Sequence, residues 1–439
     1  MSKIQPRIFR GTKDLLPNEM IKREEIIDNI KLVFRKYGFS PIETPAIEYL
    51  SVLAGKYGEE ADKLLYKLNY KVGSNDEAAL RYDLTVPLSR VIAMNKNMVR
   101  PFKRYQIQPV WRADKPQIKQ GRFREFYQCD VDTIGTYSML ADSEILTMVN
   151  EILTSLKIPN FRIRINNRKV LTGITKFIGL PESETATVCR SIDKLDKISL
   201  EEVKAEMLRN EIPQESISKL EPILKNAEIS IEELEKILTG NETAEKGISE
   251  LKEVFANLKT FNVPTENFTF DVTLARGLDY YTGTIFETNL LDYPNIGSLT
   301  GGGRYDQMIS LFSGTESPAV GTTVGLDRII AAMQQIGMFE ESSTRTKVYV
   351  TLFSNESLKE SLRITQMLRD ANICTEMSFE QKKLAKQFKF ADQKQIPFVI
   401  VIGEEEIENQ TVTVKNLKEG SQETVKLEDL ILTLKLKGL

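Results

Sequence analysis

The first half of the chain changes from a long amphipathic segment to shorter alternating ones. Between residues 20 and 37, hydrophobic side chains recur at helical spacing among charged ones, and Gly38 follows, which predicts a first helix that ends there. The segments 103–113 and 124–135 instead alternate hydrophobic and polar residues. The stretch between them is polar, contains a proline and closes on Gly121. This pattern predicts an antiparallel strand–loop–strand hairpin.

Helical periodicity dominates the middle of the chain. The pattern predicts a helix over about 138–157 and a strand over 161–166. From 170 to 258 it is almost entirely helical and acidic, which predicts an inserted helical subdomain. Strand character returns over 267–290, and the segment 319–337 is typical of a strand that leads into a helix.

The C-terminal region has the pattern of a separate unit. The composition changes at 341–346, ESSTRT, which indicates a linker. Beyond it, hydrophobic runs typical of strands alternate with predicted helices near 356–372 and 378–394. This alternation predicts a compact α/β unit with its own core.

Composition indicates a globular protein of no special class. Hydrophobic residues make up 41% and charged residues 28% of the 439 positions, which excludes disordered and fibrous chains. The net charge of −3 gives no global sign of nucleic-acid binding. No apolar run approaches the roughly 20 residues that a membrane span needs, and the start of the chain lacks the pattern of a signal peptide. We therefore expect a cytoplasmic protein that does not bind a membrane.

Two residue types restrict the chemistry. The three cysteines, Cys129, Cys189 and Cys374, are widely separated, so we expect buried neutral thiols rather than disulfides or a zinc site. The chain contains no histidine, which excludes Ser-His-Asp and Cys-His nucleophiles and metal sites that use imidazole. Catalysis must therefore use carboxylates, Arg, Lys, Tyr, a bound metal or groups of the substrate.

Three motifs combine cations, aromatic residues or glycines. Cations along the predicted hairpin suit phosphate groups, although a solvated basic hairpin is the alternative. The segment 274–283, LARGLDYYTG, places charged and aromatic residues between glycines that permit close approach to a ligand; the alternative is a strained turn with a structural Arg–Asp pair. Gly301, Gly302 and Gly303 do not fit P-loop or Rossmann spacing and by themselves are also compatible with a flexible turn.

Taken together, the motifs resemble those of the class II aminoacyl-tRNA synthetases, and among them the histidyl-tRNA synthetases, over nearly the whole chain. The segment 37–50, YGFSPIETPAIEYL, resembles the first class II motif, 111–132 resembles the second, and 319–329, AVGTTVGLDRI, resembles the third. RGLDYYTG at 276–283 and GGGRYD at 301–306 are similar to the two stretches that distinguish the histidine enzymes from their relatives.

The resemblance implies an α+β fold and a set of partners. It implies a class II antiparallel sheet flanked by helices from 1–169 and 259–340, a helical insertion at 170–258, and a C-terminal α/β anticodon-binding domain at 341–439. The implied substrates are histidine and ATP, with Mg²⁺ accompanying the nucleotide, and histidine tRNA bound at its acceptor stem and anticodon. A homodimer through the first motif is also implied. Five lysines of the last domain either meet the RNA backbone or form an ordinary solvated surface: Lys382, Lys383, Lys386, Lys389 and Lys394.

The same motifs imply roles for individual residues. Arg112 would hold the α-phosphate and the incoming carboxylate, and Arg276 would stabilise the developing charge from the other side, which makes these two the catalytic candidates. The residues implied for ATP are Arg112, Asp114, Arg122, Phe126 and Arg328. The residues implied for histidine are Asp83, Thr85, Gln128, Asp132, Arg276, Tyr280, Tyr281 and Tyr305. Within this set, Asp132 and Tyr281 would read the imidazole nitrogens. No metal ligand is assigned.

Some positions depart from the bacterial pattern. Asp83 and Asp132 stand where bacterial members often carry glutamate, and Tyr127 stands where they often carry histidine. The loop of the second motif is longer than the common bacterial form, so its contacts with the acceptor end of the tRNA are left unassigned.

Three alternatives share parts of this pattern. The regulatory subunit of ATP phosphoribosyltransferase shares the catalytic fold, but such chains typically lose the anticodon domain and the arginines. A class II synthetase for glycine, proline or threonine shares the C-terminal domain, and RGLDYYTG argues against it. A paralogue that senses uncharged tRNA would tolerate loss of Arg112 or Arg276, and both are present.

Overall fold

The chain divides into two compact units. The computed structural model describes residues 4–55, 62–72, 76–196, 198–225, 229–275, 280–339 and 344–438. The larger unit consists of residues 1–14 and 26–339, and the smaller one of residues 15–25 and 340–439. Within the described ranges, no helix is long and apolar enough to cross a membrane.

The secondary structure is mixed. The strands, in chain order, are β1 (Ser40–Pro41), β2 (Ile47–Tyr49), β3 (Lys67–Val72), β4 (Asp76–Leu80), β5 (Phe102–Trp111), β6 (Glu125–Ile134), β7 (Phe161–Asn167), β8 (Phe268–Phe270), β9 (Thr284–Leu290), β10 (Thr300–Arg304), β11 (Ala319–Val324), β12 (Val348–Val350), β13 (Thr375–Met377), β14 (Phe398–Val401), β15 (Thr411–Asn416) and β16 (Gln422–Lys426). The α-helices are α1 (Pro17–Lys36), α2 (Leu50–Leu53), α3 (Thr85–Met94), α4 (Met139–Ser155), α5 (Arg168–Phe177), α6 (Thr185–Ile192), α7 (Leu200–Arg209), α8 (Gln214–Lys225), α9 (Ile231–Ile237), α10 (Glu242–Thr260), α11 (Ser310–Ser313), α12 (Leu326–Gln335), α13 (Leu358–Asp370), α14 (Leu384–Gln393), α15 (Glu404–Asn409) and α16 (Leu430–Leu436).

A largely antiparallel sheet forms the centre of the larger unit. In the described chain it has eight strands in the order β1-β5-β6-β11-β10-β9-β7-β8, and only the pairs β1–β5 and β7–β8 are parallel. The predicted hairpin is confirmed, since β5 and β6 pair antiparallel with Arg104 opposite Asp132 and Trp111 opposite Glu125. The predicted α+β fold with an antiparallel sheet and flanking helices is therefore confirmed.

The predicted first helix is α1, and Gly38 follows its end. The backbone of Gly38 has φ +77°, a left-handed conformation that glycine adopts without steric cost and that commonly ends a helix. Buried residues of α1, among them Ile30 and Phe34, join the main hydrophobic core.

The helices α5 to α10 pack into the same hydrophobic core as the sheet. Val170 of α5 and Leu251 of α10 belong to the cluster that contains Ile163 of β7. Small residues allow α5 and α10 to approach closely, because a Cβ on Gly173 would lie 2.5 Å from the Cβ of Ala244. The helical prediction for this region agrees with the structure, and its first and last helices, α5 and α10, pack against β7 of the sheet.

The glycine triplet forms a strand, so the flexible-turn alternative is wrong. Gly301, Gly302 and Gly303 lie in β10 between β9 and β11. A Cβ on Gly302 would lie 2.1 Å from the carbonyl oxygen of Gly321. Real Cβ atoms do not approach other atoms so closely, so the strand needs glycine here for packing rather than for flexibility.

The smaller unit contains a five-stranded sheet within the described residues. Its strand order is β13-β12-β14-β15-β16, with β12 parallel to β13 and β14 and the remaining pairs antiparallel. Its own hydrophobic core includes Val348, Ile364, Phe398 and Val414. The predicted α/β unit is confirmed in type, although the predicted helix near 378–394 begins only at Leu384, after a non-helical connection at 378–383 that follows β13.

The cysteine prediction is correct for two residues. Cys129 and Cys189 are buried, whereas Cys374 is exposed. Cys374 directly precedes β13. Its backbone carbonyl accepts a hydrogen bond from the amide of Lys347 at 2.8 Å, while its side chain is exposed. Burial raises the pKa of the Cys189 thiol to about 11, so this residue is a neutral thiol.

Candidate active site

A cavity of about 310 Å³ in the larger unit is lined by β6, β10 and β11 and by the loops at their ends. Residues 126, 128, 130 and 132 of β6 all line it. Alternate residues of a strand share one face of the sheet, so β6 presents this row of side chains to the cavity.

The cavity gathers the residues predicted from the sequence. All of the predicted residues within the described ranges line it: Asp83, Thr85, Arg112, Asp114, Arg122, Phe126, Gln128, Asp132, Tyr280, Tyr281, Tyr305 and Arg328. Arg276, the other catalytic candidate, lies outside the described residues. Residues from distant parts of the sequence therefore meet at one site.

Asp132 is held by a cation and a phenol. The guanidinium Nη2 of Arg104 lies 2.6 Å from its Oδ2, and the hydroxyl of Tyr305 donates to its Oδ1. All three side chains are buried. Burial raises the pKa of the Asp132 carboxyl, and the charge of Arg104 and the Tyr305 hydrogen bond oppose that rise. The sequence did not reveal the role of Arg104, which follows from its position opposite Asp132 in the β5–β6 register.

Gly321 makes room for the Asp132 carboxylate. The two residues are opposite each other in the β6–β11 pair, and a Cβ on Gly321 would lie 1.9 Å from Asp132 Oδ1. Any side chain at 321 would displace the carboxylate. A glycine inside a strand pattern is a signal of such close approach, but the sequence alone did not show which group approaches it.

Asp130 is a second buried carboxylate in the same row, and sequence reasoning missed it. The hydroxyl of Thr323 donates to Asp130 Oδ1, and the amide nitrogen of Gln128 donates to the Thr323 oxygen at 3.1 Å. Burial raises the pKa of Asp130 to about 7, although Arg104 acts in the opposite direction. The signal was the alternation in QCDVD, which places both aspartates on one face.

Three tyrosines form the wall beside these carboxylates. The hydroxyl of Tyr280 donates to that of Tyr281 at 3.0 Å, and their ring centroids are 4.3 Å apart. Tyr305 meets Tyr280 edge-on with centroids 6.2 Å apart. Enclosure raises the pKa of each phenol above its ordinary value. All three are therefore neutral at physiological pH and able to donate a hydrogen bond.

The side chain of Arg112 is oriented by a backbone carbonyl and by two aromatic rings. Its Nε donates to the Tyr82 carbonyl at 3.1 Å, and its guanidinium carbon lies 4.2 Å from the centroid of the Tyr82 ring and 5.1 Å from that of Phe126. These contacts use Nε and the faces of the guanidinium. Both Nη groups therefore remain available to a ligand, which is the arrangement that favours bidentate binding of an oxyanion.

Two further arginines line the cavity on other elements. Arg328, in the first turn of α12, donates from Nη1 to the carbonyl and hydroxyl oxygens of Ser298 at 2.8 and 3.1 Å. Arg122 follows Gly121 in the loop between β5 and β6, where its backbone pairs with Gln117. Three arginines thus line a single cavity, and such a group suits a polyphosphate.

Asp327, which was not predicted, connects the helix α12 to the strand β6. Its Oδ2 accepts a hydrogen bond from the Tyr127 amide at 3.1 Å. The loop before β6 packs closely on the same turn, because a Cβ on Gly121 would lie 2.6 Å from the Asp327 carbonyl oxygen. These contacts position Arg122 and Arg328 relative to each other.

The remaining predicted residues lie at the start of α3 and after β5. Asp83 is buried, and its Oδ1 accepts from the Val86 amide at 3.2 Å. Thr85 is the first residue of α3. Asp114 lines the cavity beyond the end of β5, close in sequence to Arg112. In the described ranges, no group of three or more Asp, Glu, Cys or His side chains could hold a metal ion on its own.

The charges give the cavity a clear chemical character. Arginines suit phosphate oxygens, whereas buried carboxylates, phenols and an amide suit a ligand that carries N–H groups. A ligand pair of one polyphosphate and one compact molecule with several N–H donors fits both sets of groups.

Comparisons with known proteins agree with this chemistry. A family model for histidyl-tRNA synthetase matches residues 11–329, and one for an anticodon-binding domain matches residues 347–437. A histidine–tRNA ligase of Cytophaga hutchinsonii is 41% identical over an alignment 452 residues long, gaps included, and this alignment covers 97% of this chain and 99% of that protein.

Solved structures show the same similarity. The crystal structure of histidyl-tRNA synthetase from Nostoc sp. PCC 7120 matches with a TM-score of 0.89 at 34% identity and covers 99% of this chain and 100% of its own. A Bacillus halodurans structure described as an ATP phosphoribosyltransferase regulatory subunit/histidyl-tRNA synthetase matches with a TM-score of 0.74 at 22% identity, covering 90% of this chain and 99% of its own. The latter similarity shows a shared fold.

Proposed function

The chain belongs to the histidyl-tRNA synthetase family, and we propose that the cavity described above is the site where it activates histidine. The enzyme is a ligase that joins histidine to AMP with release of pyrophosphate, and then transfers the histidyl group to the 3′ end of histidine tRNA. The observation that carries the assignment of the site is the meeting of Arg112, Arg122 and Arg328 with the buried groups around Asp132 in one cavity.

In the activation step, a carboxylate oxygen of histidine forms a bond to the α-phosphorus of ATP, and the bond to the pyrophosphate oxygen breaks. The Nη groups of Arg112 hold the α-phosphate and the incoming carboxylate, because its Nε and the faces of its guanidinium are already engaged with Tyr82 and Phe126. Such a reaction depends on positioning and charge neutralisation more than on a general base. A chain without histidine is therefore suited to it. Arg276 is proposed, from the sequence motif, to stabilise charge from the opposite side.

Arg122 and Arg328 would bind the outer phosphates of ATP. Phe126 would stack on adenine, and Asp114 would lie at the adenine edge or beside the metal. Mg²⁺ would be held mainly by phosphate oxygens, with Asp114 as the nearby carboxylate, and would neutralise phosphate charge when bound.

The buried groups would select histidine. Asp132, fixed by Arg104 and Tyr305, would accept from one imidazole nitrogen, and Tyr281 would contact the other. Asp83, Thr85 and Gln128 would receive the α-ammonium group. An analogue that lacks one of these groups would leave a buried partner unpaired, which costs roughly 1 to 3 kcal/mol for each group.

The C-terminal unit would bind the anticodon of the tRNA, while the acceptor end would enter the cavity. Two of the five lysines considered above are engaged within the chain, since Lys382 lies 2.7 Å from Glu380 and Lys394 lies 2.6 Å from Glu376. The proposed RNA-binding surface therefore narrows to three exposed lysines on or beside α14: Lys383, Lys386 and Lys389.

We also propose a domain organisation and an assembly. Residues 1–169 and 259–340 would form the catalytic domain, with 170–258 as its helical insertion and 341–439 as the anticodon-binding domain. The enzyme would act in the cytoplasm as a homodimer joined through the segment 37–50. The half-exposed Ile47 and Tyr49 of β2 support this interface.

The test is amino-acid-dependent exchange of labelled pyrophosphate into ATP, measured with each of the twenty amino acids. We expect exchange with histidine alone, and loss of exchange in Arg112→Ala and in Arg276→Ala. Arg209→Ala, which removes an exposed arginine at the end of α7, is the matched control and should retain exchange. Folded protein that exchanges with no amino acid would support the regulatory or sensor alternative. Exchange with another amino acid would overturn the assignment of the pocket.

A further inference from the structure

Three side chains of the cavity form a directed chain of hydrogen bonds. The Gln128 nitrogen Nε2 donates to the Thr323 oxygen at 3.1 Å, and the Thr323 hydroxyl donates to Asp130 Oδ1. Gln128 and Asp130 are more than nine-tenths buried. The Gln128 oxygen Oε1 is buried and has no hydrogen-bond partner among the described residues.

Chemistry fixes the direction of this chain. Above pH 7, where Asp130 is ionised, its carboxylate only accepts hydrogen bonds, so the Thr323 hydroxyl has to use its single proton on Asp130. The Thr323 oxygen can then only accept a hydrogen bond from Gln128, which turns the amide nitrogen toward Thr323 and the amide oxygen away from it. That oxygen belongs to a residue that lines the cavity, and a buried acceptor without a partner calls for a donor.

We propose that Asp130, acting through Thr323, positions the Gln128 amide so that its oxygen accepts a hydrogen bond from the α-ammonium group of the amino acid. Asp130 and Thr323 are positioning residues here, and Gln128 is the group that touches the substrate. This inference rests on the proposed function, in which Gln128 meets the α-ammonium group. It adds the hydrogen bonds that keep the amide nitrogen of Gln128, which is a donor, turned away from the α-ammonium group, which is also a donor.

The environment of Asp130 supports a directional role rather than a packing one. Its hydrogen-bond partner is a neutral hydroxyl, whereas the neighbouring Asp132 has Arg104 at 2.6 Å. The charged or titratable groups that interact with Asp130 include Arg104, Asp132, Asp83, Tyr281 and Tyr305. A neutral side chain of the same shape would fill the space equally well, but it would not dictate which way Thr323 donates.

The test compares Thr323→Val, Thr323→Ser and Asp130→Asn with the wild type in histidine-dependent pyrophosphate exchange at pH 8, where Asp130 is ionised. Valine keeps the shape of threonine and removes the hydroxyl, whereas serine keeps the hydroxyl and is the matched control. We expect Thr323→Val to raise the KM for histidine about 10-fold or more and to leave the KM for ATP within about twofold of the wild type. Thr323→Ser should resemble the wild type in both constants.

Two inhibitors locate the effect on the substrate. Histidinol keeps the α-ammonium group and lacks the carboxylate, whereas imidazolepropionate keeps the carboxylate and lacks the ammonium group. Thr323→Val should weaken inhibition by histidinol about 10-fold and leave inhibition by imidazolepropionate unchanged. Asp130→Asn should weaken inhibition by histidinol about fivefold, because the new amide can donate to Thr323 and so reverse the chain of hydrogen bonds.

If inhibition by both compounds weakens equally, or if the KM values for histidine and ATP rise in parallel, the effect is a general structural one and the proposal is overturned. If Thr323→Val does not fold, the same measurements on Asp130→Asn and the wild type test the proposal. A wild-type protein without histidine-dependent exchange would instead refute the proposed function itself. Exchange in the wild type with no selective effect in any variant would refute the positioning role alone.

Discussion

Asp130→Asn should make the larger unit more stable at pH 8 than the wild type, and the difference should disappear toward pH 4. Burial raises the pKa of Asp130 from its ordinary 3.8 to about 7. In the folded wild type the carboxyl therefore keeps its proton up to about pH 7, whereas in the unfolded chain it releases the proton near pH 4. The stability linked to this group is fully present below the unfolded pKa, and it is lost as the pH rises through that window.

The size of the effect follows from the difference in pKa. One unit corresponds to about 1.4 kcal/mol, so a rise of about three units gives an upper bound of about 4 kcal/mol lost by the wild type between pH 4 and pH 8. Asparagine keeps the shape of the side chain and does not titrate. The difference between wild type and variant therefore isolates Asp130 from the other groups that titrate in this range.

The assay is urea unfolding followed by the fluorescence of Trp111, at a series of pH values and one protein concentration. The chain contains a single tryptophan, and it lies in β5 of the same sheet as Asp130, so the signal reports on this unit. Asp28→Asn, which removes a carboxylate from the exposed surface of α1, controls for the loss of one charge. Parallel dependence on pH in the wild type and Asp130→Asn would refute the reasoning, since it would mean that Arg104 fully offsets the cost of burial.

Four further outcomes follow from the geometry. Gly321→Ala should abolish histidine-dependent exchange, because the new Cβ would lie 1.9 Å from Asp132 Oδ1. The control is Gly301→Ala, whose Cβ would meet nothing closer than 3.8 Å, and this variant should unfold like the wild type. Asp132→Asn should raise the KM for histidine in exchange about 10-fold, because it removes the charged acceptor proposed to read an imidazole nitrogen, and a change below about twofold would contradict that role. Arg112→Lys should lower kcat/KM for exchange about 100-fold, since lysine cannot replace the bidentate guanidinium, and an effect below about threefold would contradict its role at the phosphate. Replacing the three exposed lysines of the proposed RNA-binding surface, Lys383, Lys386 and Lys389, with alanine should raise the KM for tRNA about 10-fold in aminoacylation without changing exchange. Equal KM values in the wild type and this variant would place the RNA elsewhere.

Local patterns account for what the sequence predicted correctly. The hairpin of β5 and β6 follows from alternation within two short segments and a polar loop, and each of these signals lies within a few residues of the element it predicts. The site residues came from short motifs that resemble those of a known family. The structure brings those described residues to one cavity, although Asp83 and Arg328 are far apart in the sequence.

The features that sequence reasoning missed depend on the exact register between paired strands, one pair of which is distant in the sequence. Arg104 has its role because the register of β5 and β6 places it opposite Asp132, and Gly321 has its role because β11 pairs with β6 on the other side. A shift of one residue in either register would move these groups to the other face. Alternation alone gives the face of Asp130, but the hydroxyl that partners it belongs to β11.

Asp130 and Asp132 show how partners, rather than residue type, determine the role of a buried carboxylate. The two lie two residues apart on one face of β6, and both are buried. Asp132 faces a cation and a phenol, so its charge is compensated and its position is fixed, which suits an acceptor that reads an N–H group of the substrate. Asp130 faces a neutral hydroxyl, so its charge is poorly compensated and reduces stability. Such a residue is best explained by what it imposes on its neighbours above pH 7, because the direction it then gives to Thr323 and Gln128 requires an ionised acceptor, which cannot donate.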